Sequence, residues 1–152
     1  MNTLSVKKSA AEDTDFIYEL EKSIFLSYRS RESISYCIAD ENSLCYTAFL
    51  DENPVGYITC KNIYGEIDID NIAVNENLRK KGIGNKLMEN LISYAQNNEI
   101  EFCTLEVRAS NTPAIALYEK FGFELVARRK NYYTSPSEDA LIYTKFLNAE
   151  KE

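Results

Sequence analysis

The stretch from Asn71 to Asn85 constrains this chain more than any other. It reads Asn-Ile-Ala-Val, a short loop, then Arg79-Lys80-Lys81-Gly82-Ile83-Gly84-Asn85 at the mouth of an amphipathic segment. Glycines at 82 and 84 let main-chain N–H groups approach an anion with no Cβ in the way. The unpaired amides and positive dipole end of a following helix face the same point. Ile83, Leu87, Met88, Leu91, Ile92 and Ala95 recur at helical spacing and predict one buried stripe, which pins the helix start to the glycines. A strand feeding a pyrophosphate cradle is the reading. The Walker pattern is absent, and the third glycine of the dinucleotide fingerprint falls on Leu87.

Composition narrows the chemistry. A chain of 152 residues is expected to form one domain over 1–152, burying about two-thirds of the surface its unfolded form exposes. Cys37, Cys45, Cys60 and Cys103 form no Cys-x-x-Cys pair and there is no histidine, so neither a zinc site nor a histidine triad is expected. Lys7 and Lys8 are not followed by an apolar signal core, and no apolar run approaches the roughly 20 residues that span a bilayer. A soluble, reduced, cytoplasmic protein without membrane contact is expected. A net charge of −7 disfavours grip on nucleic acid.

Strands and helices alternate without linker or repeat. Strand patterns cover Leu4 to Lys8, Leu44 to Leu50, Val55 to Ile63, Glu66 to Val74, Phe102 to Val107, Phe123 to Arg128 and Ala140 to Phe146. Besides the cradle helix, helical spacing appears over Asp13 to Phe25, over Ser30 to Ile38 with Ser30 as N-cap, and over Asn111 to Phe121. Asn111 or Thr112 can cap this last helix, Pro113 suits its first turn and Gly122 ends it. Ile67 and Ile69 share one face of their strand, but Ile72 and Val74 have the opposite parity. The phase change predicts a bulge between Asp70 and Ile72 that splays the strand from its neighbour. Helices between strands imply a mixed sheet covered on both faces.

Taken together, Asn71-Ile-Ala-Val, Arg79-Lys-Lys-Gly-Ile-Gly, Leu105-Glu-Val-Arg-Ala-Ser-Asn111, Ala116-Leu-Tyr-Glu119, Gly122-Phe123, Arg129-Lys-Asn-Tyr-Tyr133 and Glu138-Asp-Ala140 resemble the GNAT acyltransferase superfamily, and within it the RimI-type N-terminal acetyltransferases. The resemblance implies an α/β fold with a mixed, mostly antiparallel sheet of about seven strands and a splayed central pair. It implies acetyl-coenzyme A as donor, with no metal. Main-chain groups of Ile72, Ala73 and Val74 would meet the pantetheine, the loop from Arg79 to Asn85 the pyrophosphate, and Asn111 the coenzyme. Lys80 and Lys81 either add attraction or are simply exposed, and helix capping is the other reading of Asn111.

The matching catalytic positions are Glu106, as base toward the amine, and Tyr118, as acid toward the departing thiolate. Partial burial is expected to raise the pKa of Glu106; an edge carboxylate paired with Arg108 or a lysine is the alternative. Tyr118 is otherwise a core aromatic. Cys103, at opposite parity to Glu106, reads as core. The implied acceptor is a protein N-terminus, the N-terminal alanine of a small-subunit ribosomal protein.

Arg129 to Tyr133 read as a hairpin arm able to wall a peptide groove. Glu66, Asp68 and Asp70 are a wet strand face or a receptor for a basic peptide. Family members carry Phe-Pro-Trp/Tyr-Ser between the first two helices, where this chain has Phe25-Leu-Ser-Tyr28. A small-amine acceptor and a noncatalytic coenzyme A-binding module are the two alternatives.

Overall fold

The computed structural model describes residues 3–134 and 136–147. Seven strands form one sheet in the order β1-β2-β3-β4-β5-β7-β6. They are β1 (Leu4–Lys8), β2 (Ser43–Leu50), β3 (Asn53–Ile63), β4 (Glu66–Val74), β5 (Phe102–Arg108), β6 (Glu124–Thr134) and β7 (Ser137–Phe146). All neighbours run antiparallel except β4 and β5. The helices are α1 (Thr14–Ile24), α2 (Arg31–Ala39), α3 (Ile83–Asn97) and α4 (Thr112–Lys120).

Each face of the sheet is covered. On one, Leu87, Met88 and Leu91 of α3 pack with Ile58, Ile67, Ile69 and Leu105. On the other, Ile17 and Leu20 of α1 and Ile34 of α2 pack with Tyr57 and Ala73. The buried residues of α3 are the six of the expected stripe, and each of them except Ala95 contributes about 1.5–3 kcal/mol by leaving water. Helix α2 starts where Ser30 accepts the Ser33 N–H.

The bulge is present, and its extra residue is Asp70. Thr59 faces Asn71 while the next residue, Cys60, faces Ile69, so Asp70 has no partner in β3. Before it, Ile67 and Ile69 point to the α3 side. After it, Ile72 and Val74 do, while Ala73 turns onto the α1 side. Pairing of β4 with β5 runs from Glu66↔Phe102 to Ile69↔Leu105 and stops there. Kinking one strand at Asp70 thus ends the parallel ladder at the preceding residue and opens the middle of the sheet.

The last two strands are longer than their sequence patterns. Expected over Phe123 to Arg128 and Ala140 to Phe146, they run on to Thr134 and from Ser137. Arg128 pairs with Asp139 at 2.7 Å, and the Asn131 N–H donates to Asp139 Oδ1 at 2.9 Å. These polar ties continue a hairpin whose β6 residues, Tyr133 apart, are exposed. A strand wet on both faces has no period-two apolar pattern to read.

Candidate active site

A cavity of about 420 Å³ sits where β4 and β5 part. Its lining includes Phe25 and Ser27 from the α1–α2 loop, Asp70 to Ile72 from the bulge, Glu106, Asn111, Tyr118, Tyr132 and Tyr133. Glu106 is the first residue of β5 beyond the last pair with β4, and it shares the α1 face with Asp68 and Asp70. Tyr118 arrives from the other face. Helix α4 packs on the α3 side, where Tyr118 lies against Phe123 and belongs to the α3 core. A carboxylate from one side of the sheet and a phenol from the other therefore reach one gap.

Glu106 is exposed, which corrects the expectation of partial burial: β4 has already turned away at its position, leaving no neighbour to cover it. The paired alternative fails as well. Arg108 binds Glu138 at 3.2 Å and lies 4.3 Å from the centre of the Tyr133 ring. Among the described residues Glu106 has no ion pair.

Tyr118 is only 6% exposed. Burial pushes its phenol well above the ordinary tyrosine value, and among the described residues its hydroxyl has no hydrogen-bond partner. Asn111 caps α4, its side chain accepting the Ala114 N–H at 3.3 Å, and it lines the cavity too, so the two readings of this residue coexist. Cys103 is fully buried, and burial pushes its thiol up to about 12.

The donor-binding features fit an acyl carrier with a pyrophosphate. The Asn75 N–H bonds Val55 O at 2.9 Å, and hydrogen-bonding direction alternates along a strand. Ala73 and Asn71 therefore also face β3, whereas the main-chain groups of Ile72 and Val74 face the gap, where β5 no longer pairs with them.

At the glycine loop, Gly82 has φ +83° and ends the loop as the N-cap of α3. The first bond of the helix is Lys86 N–H to Gly82 O at 3.0 Å. The amides of Ile83, Gly84 and Asn85 lie ahead of it, and no side chain caps this end, in contrast to α2 and α4. Arg79, Lys80 and Lys81 are exposed beside it. Gly82→Ala is expected to force a left-handed alanine at a cost of about 1–2 kcal/mol. Calorimetry should then show acetyl-coenzyme A binding weakened about tenfold; an unchanged affinity would remove this loop from the donor site.

One buried polar cluster beside the cavity escaped the sequence reading. Glu21 of α1 is fully buried. It accepts from Tyr57 Oη at 2.8 Å, Asn71 Nδ2 at 3.2 Å, the Arg29 main-chain N–H at 3.2 Å and Arg29 Nε at 3.0 Å. Nη2 of Arg29 also meets Glu21 Oε2, and reaches Thr59 Oγ1 at 3.2 Å. Burial raises the carboxyl, but the hydrogen bonds and charge of Arg29 outweigh it and hold Glu21 below the usual carboxylate range. The available signal was position: Glu21 lies four residues after Ile17, on the stripe that α1 buries.

The acidic strand face is not uniformly wet. Asp70 is half-buried at the bulge, its Oδ2 has no partner among the described residues, and burial raises its carboxyl; Asp68 is raised by burial and by the charges of Asp70 and Glu106.

The mixed sheet parted at a bulge beside a glycine-started helix is the frame of an acyltransferase fold. A family model described as the acetyltransferase (GNAT) family matches residues 14–123, and the chain belongs to that family. It is 31% identical over 144 residues to the ribosomal protein bS18-alanine N-acetyltransferase of Salmonella typhimurium, covering 93% of this chain and 95% of that protein. The crystal structure of the ribosomal-protein alanine N-acetyltransferase of Escherichia coli superposes with a TM-score of 0.85 at 31% identity, over 95% of this chain and 92% of that one. A streptothricin acetyltransferase of Escherichia coli is 34% identical over 109 residues, 71% of this chain and 62% of that protein. The protein is thus an acetyltransferase of the RimI-like branch.

Proposed function

We propose that residues 1–152 form one acetyltransferase domain that acetylates the α-amine at a protein N-terminus, the N-terminal alanine of ribosomal protein bS18 being the leading acceptor, and that it works in the cytoplasm. The observation that carries the reading is the meeting of Glu106 and Tyr118, from opposite faces of the sheet, in one cavity. Acetyl-coenzyme A supplies the activated acyl group. Ile72 and Val74 offer free main-chain groups to its amides and thioester carbonyl, and Gly82 to Asn85 offer amides to its pyrophosphate.

The acceptor enters as an ammonium ion and must become neutral. At pH 7 that costs about 1 kcal/mol for an α-amine and about 4–5 kcal/mol for a lysine, so a single carboxylate suits the first task far better. Glu106 takes the proton, directly or through water. At the departing sulfur, a thiol of pKa ~8.5 faces a phenol of ~10, and burial widens that gap for Tyr118. Its hydroxyl acts first as hydrogen-bond donor to the sulfur and then as proton source, and both groups re-equilibrate with water. Asp68 and Asp70 have no ion-pair partner among the described residues and give the acceptor side an acidic wall suited to a peptide with cationic residues. Tyr132 and Tyr133 add aromatic lining to the same cavity.

A small-amine acceptor is the second reading, favoured by the likeness to a streptothricin acetyltransferase and by Phe25-Leu-Ser-Tyr28 in place of the family's loop. One panel separates the two: acetyl-coenzyme A with peptides varied at the first residue, beside polyamines and aminoglycoside-like amines. Turnover is expected on peptides, highest with alanine first. Preference for small amines over every peptide would replace this reading with the second.

A further inference from the structure

We propose that Glu21 and Arg29 act as a positioning pair that fixes the acceptor wall, setting peptide affinity without touching the reacting atoms. The inference rests on the peptide reading above. Residues 25–30 join α1 to α2 and carry Phe25, Leu26 and Ser27 into the cavity lining. Among the described residues, and apart from the bonds that close the two helix ends, every hydrogen bond leaving this loop runs through Arg29. Apolar contacts hold the loop only in part: Phe25 packs at the edge of the α1–α2 core and Tyr28 meets the Tyr18 ring edge-on at 5.9 Å, but Leu26 between them is 68% exposed. Without Arg29, nothing polar holds the loop against the sheet.

The other end of the pair reaches the opposite wall. Glu21 accepts from Asn71, which follows the bulge residue Asp70, and from Tyr57 on β3, while Arg29 adds Thr59, the residue facing Asn71. One buried carboxylate thus ties the acceptor loop to the strand segment that bends away from β5. The loop and the bulge are two sides of the same cavity, so their spacing is fixed by the Glu21–Arg29 contact. Arg29 offers a planar fork and its own main-chain N–H to the two carboxylate oxygens, which fixes orientation as well as distance. Among the described residues neither Ile72, Val74 nor the glycine loop shares a hydrogen bond or ion pair with Glu21 or Arg29, so a fault in the pair should be felt by the acceptor more than by acetyl-coenzyme A.

The test is the Glu21→Gln, Arg29→Met double variant, which removes both charges together and leaves no lone buried ion. Steady-state kinetics on the best peptide of the panel should show its KM raised about tenfold, with the KM for acetyl-coenzyme A within about twofold of the parent. Arg29→Lys, which keeps the charge and loses the fork, should recover part of the peptide affinity. Thr47→Val, which breaks a buried hydroxyl pair with Ser9 away from the cavity, serves as a control for general loss of stability and should leave both KM values unchanged. Should the double variant not fold, the same comparison is made with Arg29→Lys alone, whose peptide KM should rise several-fold. A parent that turns over no peptide overturns the peptide reading and this proposal with it. A parent that does, beside variants whose peptide KM is unchanged or whose two KM values rise together, overturns this proposal alone.

Discussion

Glu106→Gln is expected to lower kcat for peptide acetylation by about 100-fold or more while leaving acetyl-coenzyme A binding intact, because positioned general bases contribute about 10²- to 10⁴-fold. Glutamine keeps the size and hydrogen-bonding reach of the side chain and loses only its ability to take a proton. The residue is exposed and forms no ion pair among the described residues, so the substitution leaves no partner stranded and folding stability should change little. The defect should also depend on pH in a definite direction. An α-amine with pKa about 7.7–8.0 is mostly neutral by pH ~9.5, where no base is needed, so the gap between variant and parent should narrow as pH rises. Calorimetry with acetyl-coenzyme A and a kcat profile between pH 6.5 and 9.5 read both parts. A variant as fast as its parent would remove Glu106 from the base role.

Why some of this was legible in the residues and some was not follows from how each feature is encoded. The stripe of α3 is written directly, since six apolar residues at helical spacing have one way to be buried together. The bulge is also written directly, because a parity switch between Ile69 and Ile72 admits one extra residue, and Asp70 supplies it. The strand pattern of β6 stops at Arg128 because Arg129 to Tyr132 face water on both sides, where alternation carries no information, although the hairpin arm over Arg129 to Tyr133 is present as expected. The exposure of Glu106 depends on how far β4 turns after Asp70, a tertiary consequence that its own strand does not record. The Glu21–Arg29 pair joins a helix residue to a loop residue, so no periodicity within one element relates them, and only burial of α1 against β3 and β4 brings its five donors onto one carboxylate. A charged residue on the apolar stripe of α1 was the single local sign of it.

Tyr118→Phe should give the other large effect, a fall in kcat of about 100-fold with peptide and acetyl-coenzyme A binding retained, if the hydroxyl serves the departing sulfur. The alternative is that the ring alone matters, as a core aromatic against Phe123. Phenylalanine separates the two, because it preserves the buried ring and deletes only a hydroxyl that no described residue bonds, so thermal stability should be nearly unchanged or slightly raised. The pH behaviour of the parent supplies an independent check. Burial raises the phenol, so Tyr118 keeps its proton through and beyond the ordinary tyrosine range near ~10, and peptide turnover should show no alkaline loss attributable to it below that pH. A kcat that falls on an alkaline limb near pH ~8.5 in the parent and stays flat in Tyr118→Phe would mean the phenol ionises where burial forbids it. A Phe variant with parental kcat would return Tyr118 to a packing role and leave the sulfur to be protonated by water entering the open side of the cavity.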